Sequence, residues 1–341
     1  MGARILSRTI LAAAFCGALP AWGAETLPEI SPAVVAKYQG DGGKLRMTDN
    51  PAGTNAFARF AMQKYKLDRK YGFELQIISV GTTQAAMTAM QAGGADFTVA
   101  DFMVLARLRH AGVKMIGVGP MLKWADHIVV PVDSPIKNLG DFRGKKIGIV
   151  TRTASYTLAM KAAALKQYGL DLEKDAMFQE GGVSLLRGLI EQGQLDVTFM
   201  FNNITPAMTV TGKFKVLTNL GELVASLGVR PEVPFLLFGT MEDYAAAHPK
   251  NIRAWLAAYR EAIQILNAND DIWYEQGRIM KMDDASIPPL MEEMRADLVS
   301  QFDDSTEADI RKVFEILLAT GGPEVMGMSQ LPEKFMTTEY Q

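Results

Sequence analysis

The chain has 341 residues, with 35 Lys+Arg against 38 Asp+Glu, a formal net charge of −3 and a single cysteine, Cys16. No basic run or face is visible, which argues against nucleic acid as a partner, and past residue 23 no apolar stretch reaches the ~20 residues a membrane-spanning helix needs. The histidines, His110, His127 and His248, fall in no zinc-type spacing and beside no serine nucleophile motif, and no phosphate loop or dinucleotide fingerprint occurs, so no catalytic residue, metal site or cofactor is expected.

Met1 to Arg8 is short and basic. Thr9 to Leu19 is apolar, Pro20 breaks the run, and Ala21-Trp22-Gly23 sets small residues where a signal peptidase reads. That order predicts a secretory signal peptide over residues 1–23 and a mature chain in the periplasm. Removing Arg4 and Arg8 leaves 33 basic residues against 38 acidic ones, a net charge of −5. Cys16 follows Phe15, which is too large for a lipoprotein signal, so the mature protein is expected to be a soluble monomer without thiol or disulfide.

Residues 24–43, with Pro28, Pro32 and Gly40-Asp41-Gly42-Gly43, read as an extension. Strands and helices then alternate. Strands are predicted over 45–48, 73–80, 95–100 and 114–118, with helices over 55–71, 83–92 and 102–111. A second unit follows: strands over 127–132, 146–150, 176–179, 195–201 and 215–218, helices over 153–168 and 183–192. After a strand at 234–238 the pattern is almost all helix, clearest over 251–268, 289–302 and 306–319. Such alternation implies parallel sheets with helices on their faces.

In open α/β sheets ligands sit beyond the carboxyl ends of the strands, where helix N-termini present unpaired N–H groups. Three strand ends fit this description: Thr48 to Asn55, which includes Thr54; Gly81-Thr82-Thr83; and Arg152-Thr153-Ala154-Ser155-Tyr156. Thr and Ser at helix starts also serve as ordinary N-caps. Phe102, Trp124, Tyr156 and Phe201 are candidate cleft walls or core residues, Tyr156 and Trp124 carrying polar groups that need partners. Arg152 is suited to a bidentate contact with a ligand anion, or to solvent.

The segment Val130-Pro131-Val132-Asp133-Ser134-Pro135-Ile136 with Asn138 to Ile147 resembles the "dSpIk…dLkGKkia" entry to the second lobe in the periplasmic substrate-binding proteins of nitrate, sulfonate and taurine ABC importers, a family that includes binders of thiamine pyrimidine precursors. Gln84 to Asp96 and Gly188 to Val197 are similar to its "a…aL.aGg.D" and "al..GqlDa" segments. The resemblance implies an α/β type II periplasmic-binding fold of two hinged lobes, residues 44–129 with 230–341 and residues 130–229. It implies ligand contacts from Thr54, Thr82, Thr83, Thr153, Ser155 and Tyr156, with Asp101, Phe102, Phe201 and Asn202 secondary. It also implies a permease partner in the inner membrane. Combined with Arg152 and the helix N-termini, it leads to the expectation of a small organic anion: a sulfonate, carboxylate or aromatic acid. The alternatives are a neutral heterocycle such as a pyrimidine precursor, or an enzyme or interaction protein on the same fold.

Overall fold

The computed structural model describes residues 29–51 and 53–341. The expected signal peptide and the start of the extension lie outside the described residues. Ten strands form two five-stranded sheets. The first contains β1 (Lys44–Asp49), β2 (Glu74–Ser79), β3 (Phe97–Asp101), β4 (Met115–Lys123) and, far along the chain, β10 (Pro234–Met241). The second contains β5 (His127–Pro131), β6 (Lys146–Ile149), β7 (Met177–Glu180), β8 (Val197–Met200) and β9 (Phe214–Asn219).

The two sheets repeat one plan. Their orders are β2-β1-β3-β10-β4 and β7-β6-β8-β5-β9. In each, three strands run parallel, and the fourth in the order is antiparallel to both its neighbours. That antiparallel strand is the one arriving from the other lobe: β5 follows β4 directly, and β10 returns after β9. The chain therefore crosses between lobes twice, at 124–126 and 227–233. This is the mixed α/β, two-sheet arrangement expected of the type II periplasmic-binding fold.

Local chemistry explains the differences from the sequence pattern. The helix expected over 55–71 is two helices, Ala56–Lys64 and Leu67–Lys70, because Lys66 takes a left-handed conformation (φ 51°) between them. The strand expected to stop at 118 runs to Lys123 through Gly119-Pro120. Proline is tolerated there because β4 is an edge strand. Gly119 lets the long helix Pro249–Ala268 close on the sheet: a Cβ there would stand 2.4 Å from Leu256 Cδ2.

Behind the first sheet Phe238 of β10 is fully buried. It meets Trp255 and Tyr259 edge-on, at 5.6 and 4.6 Å between ring centroids, and Phe97 at 6.5 Å. A second apolar cluster runs through the crossover region, joining Phe102, Trp124 and Phe235 to Ile128 and to Phe314 of the helix Thr306–Met326. That helix packs on Ser155–Tyr168 of the second lobe. The tail beyond it returns to the first sheet, where Gly117 N donates to Phe335 O (2.9 Å) and Thr337 N to Gly117 O (2.8 Å).

Phe238→Ala removes the ring that three aromatic neighbours share. It should destabilise the first lobe by ~3–5 kcal/mol in urea unfolding. A loss below ~1 kcal/mol, as at a site that collapses freely, would show that the aromatic cluster does not act as one packed unit.

Candidate functional site

The carboxyl ends of the parallel strands in both sheets face each other across the crossovers. On the first sheet β3 ends in Asp101, which caps the helix Phe102–His110 by accepting from Met103 N (2.8 Å). The same carboxylate accepts a short hydrogen bond from Ser155 Oγ, the first residue of the second lobe's helix Ser155–Tyr168. Ser155 is 1% exposed. This helix has no side-chain cap of its own. Asp101 supplies the negative charge that the N-terminal end of a helix dipole favours.

A second bridge lies beside the first. β8 runs out into Phe201-Asn202-Asn203, and Asn202 is fully buried. Its backbone N–H donates to Asp126 Oδ1 (3.1 Å) and its Nδ2 to Met294 Sδ (3.3 Å), and its Oδ1 accepts from Thr54 Oγ1 (3.5 Å). Met294 belongs to the helix Ile287–Asp297, which is packed on the first lobe's β4 side, and Asp126 lies on the first crossover. Asn202 thus ties the second lobe to three segments outside it. Tyr156 stacks on Phe199 (4.0 Å, 10° between planes), with Phe201 edge-on to Phe199 at 5.4 Å.

The electrostatics of this group are unusual for a cleft expected to hold an anion. Burial pushes Asp101 up to about 6, against the hydrogen bonds from Ser155 and Met103. Burial pushes Asp126 further, to about 7, helped by the charges of Asp297 and Asp101. The Tyr156 hydroxyl is held neutral by burial and then by the charges of Asp126 and Asp101, so the three groups lie within electrostatic reach of one another.

The other sequence candidates fall into two sets. Phe102 is fully buried 6.2 Å from Trp124, which packs 4.7 Å from Phe235 and keeps a buried Nε1 without a partner among the described residues. The rest are engaged locally. Thr82 caps its own helix by accepting from Ala85 N (3.2 Å), and both it and Thr83 are exposed. Thr153 is exposed and offers its carbonyl to Arg107 Nη2 (3.0 Å), a further link between lobes. Arg152 is held on its own lobe by Glu173 and Glu180 (Nε to Oε1 3.1 Å) and lies over Phe178 at 5.2 Å. Asp126, Met294 and Arg107 belong to the junction and were missed. Asp126 alone left a signal: an acid inside the apolar run leading into β5.

A family model described as "NMT1/THI5 like" matches residues 69–271. No curated protein sequence matches the chain. Among solved structures, the chain is similar to the periplasmic aliphatic sulphonate binding protein SsuA from Escherichia coli. That match has 16% identity and a TM-score of 0.68, covering 81% of this chain and 87% of that one. It is also similar to the alkanesulfonate-binding protein SsuA from Xanthomonas axonopodis pv. citri bound to MOPS, with 17% identity and a TM-score of 0.65, covering 85% and 95%. The desulfurization enzyme DSZB shares the fold at 14% identity and a TM-score of 0.62, covering 87% and 97%.

The two raised carboxyls make the junction pH-sensitive. Their folded-state values lie above the ordinary 3.8, so their contribution to stability is fully present below about 3.8 and is lost as pH rises through about 6 for Asp101 and about 7 for Asp126. The melting temperature should therefore carry a component that falls between pH 4 and 7. In Asp126→Asn that fall should be shallower. An identical slope in the variant would mean that Asp126 titrates as an ordinary exposed carboxylate.

Proposed function

Because the chain belongs to the NMT1/THI5-like family, we propose that it is the solute-binding component of an ABC importer, exported to the periplasm and closing two lobes over a small molecule. The observation that carries this reading is the meeting of Asp101 and Ser155 from opposite sheets at the crossovers. A contact made across a hinge belongs to one hinge angle. A ligand bridging the same groups stabilises that angle by its differential affinity for the closed form. Binding rather than catalysis is the reading favoured: the hydroxyl–carboxyl pair of the described junction, Ser155 and Asp101, is buried and joins the two lobes, and Cys16, the only cysteine in the sequence, is assigned to the signal peptide.

For the ligand, the geometry favours a flat, neutral or weakly basic heterocycle with N–H donors over an organic anion. Asp101 and Asp126 are acceptors already at the site, and an anion would add negative charge beside carboxyls that burial has already pushed up to about 6 and about 7. The dipole end of Ser155–Tyr168, one of the places assigned to a ligand anion from the sequence, faces Asp101. The arginines near the strand ends have other partners: Arg152 as described, Arg59 on Asp49 (2.5 Å), and Arg107 on Thr153 O and Met326 O (3.0 Å each). Tyr156 and Phe201 supply apolar walls. The names of the sulfonate-binding neighbours favour the anion reading, which needs a cation released from one of these pairs.

A calorimetric panel of aminopyrimidines, alkanesulfonates, nitrate and aromatic carboxylates tests the choice. The heterocycles should bind most tightly. Asp101→Asn should weaken the best of them by about 1.5–3 kcal/mol, the range for hydrogen bonds to charged groups, while Arg152→Ala should leave it unchanged. Tight sulfonate binding that Arg152→Ala abolishes would overturn the ligand assignment. Turnover of any panel member would overturn the binding role.

A further inference from the structure

A groove of about 780 Å³ is lined by neither Asp101, Ser155 nor Asn202, and borders the Asn202 contacts through His127 and Glu293, the chain neighbours of Asp126 and Met294. Its walls come from both lobes and both crossovers: Lys123 at the end of β4, His127 at the start of β5, Glu222 of the helix Leu220–Ser226, Glu232 on the return crossover, and Glu292, Glu293 and Asp297 of Ile287–Asp297. Five carboxylates thus face one lysine, and Lys123 Nζ is already held by Ala296 O (2.8 Å). Glu293 and Asp297 stand one helical turn apart, a like-charge spacing that destabilises a helix, and Lys123 offsets part of the charge at Asp297.

A separate observation points to a missing partner. The His127 side chain is 6% exposed and its Nδ1 has no hydrogen-bond partner among the described residues. Its Nε2 faces Glu293 Oε1 at 3.8 Å. With the proton on Nε2, Nδ1 is a lone-pair acceptor in need of a donor. Glu293 Oε2 is likewise buried and unpartnered. Burial pushes Glu293 up to about 7, with Asp297 and Glu292 adding to it, and burial pushes His127 down to about 4. The groove lacks positive charge at the place where its polar atoms are unmet.

We infer that this groove is a second binding site, for an elongated organic cation carrying two or more ammonium groups. No three of the described His, Cys, Asp or Glu residues stand where they could hold one metal ion, so the carboxylates are too dispersed for a single point charge. They are spaced along a trough whose remaining wall includes Val216, Ala225, Pro231 and Pro289. Alkyl segments suit those surfaces, and ammonium groups suit Glu293, Asp297 and Glu232. Because the walls belong to both lobes, the occupant acts on the hinge angle while the cleft ligand sits elsewhere.

Titration of the mature protein with 1,4-diaminobutane and spermidine at pH 7.5 and low salt tests the site, since screening weakens such contacts. Saturable one-to-one binding is expected. The double variant Glu293→Gln/Asp297→Asn should weaken it by ~10-fold or more, in line with the loss of charge-assisted hydrogen bonds. Glu307→Gln, on an exposed helix face, should bind as the wild type does; Asp101→Asn should keep saturable one-to-one binding, which separates this site from the cleft. Melting curves of each variant establish that it is folded. Absence of saturable binding, an equal loss in Glu307→Gln, a loss confined to Asp101→Asn, or binding of a basic peptide but of neither amine would each overturn the inference.

Discussion

Two carboxylates buried where two lobes meet are the constraint around which the rest is arranged. A buried carboxylate without donors is expensive, and each of these takes a donor from across the junction, Asp101 in addition to the Met103 N–H of the helix it caps. Asp101 takes the Ser155 hydroxyl from the second lobe, and Asp126, on the crossover, takes the Asn202 N–H from the same lobe. If the lobes part, both bonds are lost, but water replaces them and the carboxylates ionise more readily. The same groups therefore favour closure when protonated or bridged and tolerate opening when hydrated. That balance is what a capture-and-release protein needs.

The fold delivers these groups by repetition. Each sheet sets three parallel strands beside one strand arriving from the other lobe, and strand-end residues of the two sheets touch: Asp101 with Ser155, Thr54 with Asn202. The first lobe contributes Asp101 from its third parallel strand and Thr54 from the loop after its first. The second contributes Ser155 after β6 and Asn202 after β8. The C-terminal region adds a further constraint: Arg230 on the return crossover pairs with Asp303 and Asp309, the helix that follows lies on the second lobe, and its tail is hydrogen-bonded to β4. The proposed hinge would work within that tether.

Much of this was legible in the sequence because it is local. Strand–helix alternation placed the elements and the strand-end loops, and the segment from Val130 to Ile147 carried the likeness to two-lobed binding proteins. Ser155 and Tyr156 were named from their positions at a strand end, and Asp101 and Asn202 from the family resemblance. Their relative weight was not legible. Asp101 was implied by the resemblance as a secondary contact, and nothing local shows that its second oxygen faces Ser155, 54 residues on. Arg152 read as a ligand partner because Glu173 and Glu180, which hold it, lie 21 and 28 residues away on other elements. Met294 joined the junction through the fold of a distant helix, and no periodicity announces that.

In the proposed role, the lobes hinge about the crossovers and a ligand holds them at the angle where Asp101 and Ser155 meet. A chain from residue 24 onward has no cysteine, so cysteines introduced at the exposed Gln91 and Gln192, at corresponding helix ends of the two lobes, can carry the only spin labels. Pulsed electron resonance should give a broad distribution of distances without ligand, and a narrow, shorter one when the best member of the calorimetric panel is bound. A single distance distribution, the same with and without ligand and unchanged in Asp101→Asn, would contradict the account.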